Sequence, residues 1–175
     1  YNLGKDSEVI KYGNLLVKDR RATKQDKLET NFILAKLDFK NNQKDDALKT
    51  FETVAKQNTN EAGAEARYLI AKILYDKNQL DKAKDACFRV DRETPAQEFW
   101  VVKSYLLLGD IFMKKGDVYQ AKATVKSIVD NYRGDKKLEQ EAKAQLNKII
   151  AKEKAKSKLE EEESNDGEID FDEDN

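Results

Sequence analysis

Apolar residues recur along this chain at three- and four-residue spacing, in runs each about the length of a short helix. Val9, Ile10, Tyr12, Leu15 and Leu16 form the first stripe and predict a helix over Ser7 to Val17. A second, from about Lys24 to Asn41, carries Leu28, Phe32, Leu34, Ala35 and Phe39. It stops at Asn41 and Asn42, a residue type that tolerates the left-handed conformation of a helix end. A third runs from Asp45 to Lys56 with Ala47, Leu48, Phe51, Val54 and Ala55. The pattern then returns, with Ala66, Tyr68, Leu69, Ile70, Ala71, Leu74 and Tyr75 before a turn at Asn78, and Leu80, Ala83, Cys87 and Val90 after it. Beyond Pro95 a further pair runs through Trp100, Tyr105, Leu108, Gly109, Phe112 and Met113 to a turn at Gly116, then Ala121, Val125, Ile128 and Val129. Gly134 and Asp135 open a last helix with Leu138, Ala142, Leu146, Ile149 and Ile150 on one face, which fades into Lys and Glu beyond Ala151.

The helix-turn-helix pairs superpose without adjustment. A small residue stands at Ala35, Ala71 and Gly109; seven residues later comes Asn42, Asn78 or Gly116, and five more bring Ala47, Ala83 or Ala121. Four residues on, Phe51, Cys87 and Val125 hold a larger apolar position, and three further come Val54, Val90 and Ile128. The offset between pairs is 36 and then 38 residues, so the loops vary while the pairs do not. Antiparallel helices approach closely only where one side offers Ala or Gly, and a single pair cannot bury its second face without a neighbour, so stacking of pairs supplies the core.

Composition agrees. Seven Gly and one Pro in 175 residues leave few turns, which favours an all-α chain. No stretch approaches ~20 apolar residues, so nothing spans a membrane as a helix, and no charged-then-apolar leader opens the chain. It begins at Tyr1 rather than Met, as expected of a processed chain or a piece of a longer one. The formal net charge of −1 hides an asymmetry: ten acids and no base follow Lys158, which leaves residues 1–158 at about +9. Histidine is absent and Cys87 is the one cysteine. This removes His-based acid/base work, Ser-His and Cys-His triads, the usual zinc sets and an intrachain disulfide.

With Ala71, Asn78, Ala83, Cys87 and Pro95 in register, Tyr68 and Tyr75 beside them, and Leu108, Gly109, Phe112, Gly116 and Ala121 repeating the arrangement, the chain resembles the tetratricopeptide repeats. The first unit is looser, since Asn31 and Asp38 stand where core apolar residues are expected. The resemblance implies a right-handed superhelical solenoid of helix-turn-helix repeats. A partial leading repeat would occupy 1–23 and three repeats about 24–59, 60–95 and 96–134, followed by a capping helix over 135–157 and a disordered acidic tail over 158–175. The run from Thr94 to Tyr132 is also similar to the C-terminal repeats of large multi-repeat proteins of the Gram-negative cell envelope, which implies a periplasmic or outer-membrane-associated setting.

Repeats of this family bind partners on the concave face lined by the first helix of each pair. The positions used there correspond to Phe32, Lys36 and Phe39, to Tyr68, Lys72 and Tyr75, and to Leu106, Asp110 and Met113. Residues seven apart share one helix face, so Phe32/Phe39, Tyr68/Tyr75 and Leu106/Met113 read as an apolar and aromatic ladder with two lysines, suited to an extended or helical peptide. The same side chains could instead pack only between neighbouring helices. The family's carboxylate clamp is not supported, because Ile33, Lys36, Leu69 and Lys72 stand where its Asn residues belong. Trp100 reads as a packing residue more than an exposed anchor.

Other chemistry is thin. Asp166 to Glu173 reads like the second half of an EF-hand loop, but Glu162 and Ser164 replace the usual leading Asp residues, so an acidic tail is the better reading. The tail's charge is opposite to the body's and leads to the expectation that it lies across the body. Lysines interleave with Asp and Glu on every helix, which argues against nucleic-acid binding through the basic body. Asp110 and Asp117 form a nominal carboxylate pair with no pocket to serve. The expected function is a non-catalytic protein–protein scaffold with a protein or peptide partner, and no catalytic residue, cofactor or metal is expected.

Overall fold

The computed structural model describes residues 3–165, with side chains over 5–158. Among the described residues there are eight α-helices and no strand: α1 (Leu3–Lys18), α2 (Lys24–Lys40), α3 (Lys44–Gln57), α4 (Glu61–Asp76), α5 (Leu80–Glu93), α6 (Glu98–Lys114), α7 (Val118–Asn131) and α8 (Lys136–Asn165). Consecutive helices pack on one another, α1 on α2 through to α4 on α5, and α7 on α8, as in an all-α helical solenoid. The chain divides into two compact units, Tyr1–Leu107 and Leu108–Asn175, with the division inside α6.

The tight turns inside the pairs follow from one residue type at one position. Asn42 (φ 67°), Asn78 (φ 59°) and Gly116 (φ 81°) are left-handed. Each donates its N–H three residues back, to Phe39, Tyr75 or Met113, while the next residue donates five back, Gln43 to Asp38, Gln79 to Leu74 and Asp117 to Phe112. This double closure satisfies the last carbonyls of the first helix and reverses the chain. Starts are also capped. Thr23 and Asp26 exchange side-chain and backbone hydrogen bonds at α2, and Asn60, Asp117 and Asp135 accept from Gly63, Gln120 and Leu138.

The core of the first unit centres on the small-residue positions, with Ala47, Ala71 and Ala83 fully buried. Phe51 is also fully buried, and its ring meets Phe32 and Phe39 edge-on at 5.8 Å and 6.3 Å. Arg67 of α4 is a buried exception to the apolar rule. Its Nε donates to Glu93 of α5 at 2.8 Å and its Nη1 to the carbonyls of Asn58 and Gly63, each at 2.9 Å. Asp38, where an apolar residue is expected, is half-buried, and burial together with nearby Asp46 raises its carboxyl above the usual range.

In the second unit Gly109 is the close-approach residue. A Cβ built on it would lie 2.5 Å from Cγ2 of buried Val125 and 3.1 Å from Nε2 of Gln145. Helix propensity alone favours Gly109→Ala by about 1 kcal/mol. The collision involves a stiff β-branched side chain, so the expected net result is a destabilisation of about 1–2 kcal/mol, seen as a lowered denaturation midpoint. A stabilised variant would show that α6 and α7 do not depend on this contact.

Two boundaries differ from expectation. α1 begins at Leu3, about a turn before Ser7. α8 continues through Asn165, so residues 158–165, expected within a disordered tail, are helical. Lys and Glu are strong helix formers, and a helix already anchored by Leu138, Ala142 and Ile149 propagates into them at little cost. The EF-hand-like run from Asp166 lies outside the described residues.

Candidate functional site

In the first unit the first helices of successive pairs, α2, α4 and the start of α6, meet through their side chains. Lys36 of α2 pairs with Glu65 of α4 at 3.1 Å. Tyr68 of α4 lies against Trp100 of α6, with ring centroids 5.6 Å apart and planes tilted by 41°. Phe99 meets Trp100 edge-on at 5.1 Å, and Tyr105 donates to Asp91 of α5 at 2.9 Å, which fixes the helix carrying the rings.

Lysines sit over the rings of this face. Lys36 is 4.8 Å from the Phe32 centroid and Lys72 is 4.9 Å from that of Tyr75. Lys103 lies 5.1 Å from Tyr68, 5.4 Å from Trp100 and 5.6 Å from Phe99. Each such contact is worth about 0.5–1 kcal/mol at an exposed site and holds the cation in place. Lys72 is also neutralised by Asp76, which lies 2.8 Å from it and 2.9 Å from Lys44. These lysines hold the Asp76 carboxyl below its ordinary value against the opposing effect of its burial. Among the described residues Lys103 has no carboxylate partner. The indole Nε1 of half-buried Trp100 is out of contact with solvent and has no hydrogen-bond acceptor.

Two of the nine positions named from the sequence lie in the core. Phe32 is buried against Phe51, and Leu106 is buried as well. Phe39, Tyr68, Tyr75, Lys36 and Lys72 are half-buried on the first unit. In the second unit Met113 is half-buried, and exposed Asp110 accepts a hydrogen bond from Gln145 at 2.7 Å. Asp117 caps α7 through Gln120 N–H at 3.0 Å, so both members of the nominal carboxylate pair have structural partners. Phe99 and Lys103 are not among the nine. Their signal is the spacing of Phe99, Trp100 and Lys103, which puts both rings within one helical turn of the cation.

Several cations elsewhere are spent on ion pairs that join different helices. Lys40 reaches Asp6, Lys77 reaches Asp45 and Lys122 reaches Glu153. Burial pushes the Cys87 thiol up to about 12, which leaves it protonated at neutral pH. Among the described residues no cluster of carboxylates or cysteine could hold a metal ion, and no helix is long and apolar enough to cross a membrane.

Residues 102–135 match the family model for the tetratricopeptide repeat. No curated protein sequence matches the chain. Among solved structures, the type III secretion translocator chaperone SycD of Yersinia enterocolitica aligns with a TM-score of 0.60 at 15% identity, covering 75% of this chain and 89% of that one. The crystal structure of MamA aligns with a TM-score of 0.56 at 21% identity, covering 87% of this chain and 91% of that one. At these identities the likeness is one of fold. The left-handed turns, the alanine and glycine contacts and the matched unit agree with a fold of the tetratricopeptide-repeat type, with one repeat matched over residues 102–135.

Proposed function

We propose that this protein is a non-catalytic scaffold that holds an extended or helical segment of a partner protein against the first-helix face of its repeats. The observation that carries this reading is the cluster of Tyr68, Phe99, Trp100 and Lys103. It joins half-exposed rings and an ammonium with no carboxylate partner among the described residues. Aromatic rings beside a cation recur as energetic anchors of protein interfaces. A partner segment with an apolar side chain and an adjacent carboxylate or carbonyl would complement it. SycD, similar in fold, is named as a chaperone for secretion translocators, which supports a protein partner. The similarity of Thr94 to Tyr132 to envelope proteins supports a role in cell-envelope assembly.

Tyr68→Ala combined with Tyr75→Ala is expected to weaken partner capture by at least about tenfold, with helical circular dichroism retained. The partner is first identified by affinity capture with the unaltered chain. The lone Trp100 gives a second readout, since its emission should shift on titration with that partner. Undiminished capture by the folded double variant would sink the reading.

A further inference from the structure

On the first-helix face Lys36, Lys72 and Lys103 each lie over an aromatic ring, yet they differ in charge balance. Lys36 is paired with Glu65 and Lys72 with Asp76, whereas Lys103 has no carboxylate partner among the described residues. Its ammonium lies 5.1 Å, 5.4 Å and 5.6 Å from three ring centroids at once, so the rings hold it in place without neutralising it. Phe99 is 39% exposed, and Tyr68, Trp100 and Lys103 are half-buried, so ring surface and charge are open together on one patch. The complement of such a patch is an aromatic side chain with a carboxylate beside it. The ring covers exposed ring surface, and the carboxylate meets a cation already fixed in position.

The chain itself carries a segment of this chemistry. Phe171 stands between Asp170 and Asp172, and no other aromatic residue in the sequence has a carboxylate on both sides. Glu168 and Ile169 extend the alternation of acid and apolar residue, and no base follows Lys158 to neutralise these acids locally. We infer that the run 168–172 is a built-in ligand of the Lys103 cluster, with Phe171 against the rings and a flanking carboxylate on the ammonium. Carboxylates on both flanks let the run enter in either chain direction. This rests on the reading of the cluster as a peptide-binding face and gives that face a competitor, since a partner segment has to displace the chain's own run from the same rings and cation.

The probe is a synthetic peptide of residues 166–175, which contains no Trp, so Trp100, the only one in the chain, reports its binding. It is titrated into the full chain carrying Ile169→Ser and Phe171→Ser, whose own run is thereby silenced. A saturable change in Trp100 emission is expected. Phe171→Ser in the peptide, or Lys103→Glu in a chain that keeps its helical circular dichroism, should weaken binding at least about tenfold. Lys103→Arg keeps a cation over the rings and should retain it. The unaltered chain should need about tenfold more peptide for the same change, because its own run competes for the site. Equal binding of the Phe171→Ser peptide would leave only charge attraction and overturn the inference, as would equal peptide demand by the unaltered and silenced chains. Absence of any peptide binding, with partner capture still lost in Tyr68→Ala combined with Tyr75→Ala, would overturn the built-in ligand and leave the peptide-binding face standing.

Discussion

Phe51→Ala is expected to destabilise the chain by about 3–5 kcal/mol. Phe51 is the largest side chain with no exposed surface, at the position held by Cys87 and Val125 in the later pairs. Only in the first pair is that position aromatic, and there it gathers Phe32 and Phe39 edge-on. Truncation removes the buried ring, leaves a cavity between α2 and α3 and cancels both ring contacts, each worth about 0.5–1.5 kcal/mol beyond area. Phe51→Leu keeps most of the volume and should cost about 1–1.5 kcal/mol. Because repeat arrays are stabilised by neighbour contacts, amide exchange in Phe51→Ala should accelerate first in α2 to α4. Denaturant unfolding measures the first effect and exchange mass spectrometry the second. A loss under about 1 kcal/mol would show that the first pair is not held by this cluster.

Arg67→Ala should be comparably severe, about 3–5 kcal/mol, for a different reason. The guanidinium is buried and reaches the Asn58 carbonyl in the α3–α4 connection, the Gly63 carbonyl in the first turn of α4 and the Glu93 carboxylate of α5. Removing it strips the Asn58 carbonyl of its buried donor and leaves Glu93 to Arg89, so the loss exceeds that of the packing alone. Arg67→Lys cannot span the same three acceptors with one ammonium and should recover little. The pH dependence is a second signature. Hydrogen bonds from Arg89 first, then Arg67, hold Glu93 at about 2, opposed by its partial burial, against an ordinary value of 4.5. A folded-state value below the unfolded one gives stability that is complete above about pH 4.5 and lost as pH falls toward 2. The gap between the parent and Arg67→Ala should therefore be widest near neutrality and shrink on acidification in that window. A gap independent of pH would show that Arg67 acts through packing and its carbonyl contacts rather than through Glu93.

Much of the architecture is legible in local chemistry. Asn42, Asn78 and Gly116 stand at one register, and a left-handed residue closing a helix is a local event, so the turns follow from residue type alone. The spacing of Ala35, Ala47, Ala71 and Ala83 likewise announces close helix contacts, because only small side chains let backbones approach. Seven-residue spacing places Phe32 with Phe39 and Tyr68 with Tyr75 on common faces, since helical periodicity is independent of what packs there.

Periodicity does not tell which member of a face is covered. Phe32 and Phe39 share a stripe, yet Phe32 is 6% exposed and Phe39 only half-buried, because the Phe51 ring from α3 takes one more completely than the other. Arg67, read locally, is a surface residue in an apolar run; its burial needs Glu93, 26 residues away, to neutralise it. The stripe of α1 reads from sequence as a core face like any other, and only the packing leaves it open. The sequence by itself determined the helices, their turns and the repeat, which depend on interactions within a few residues. The tertiary structure alone decided which faces are filled, which charges are spent on one another and which rings stay half-exposed, because burial is a property of neighbours brought together from distant parts of the chain.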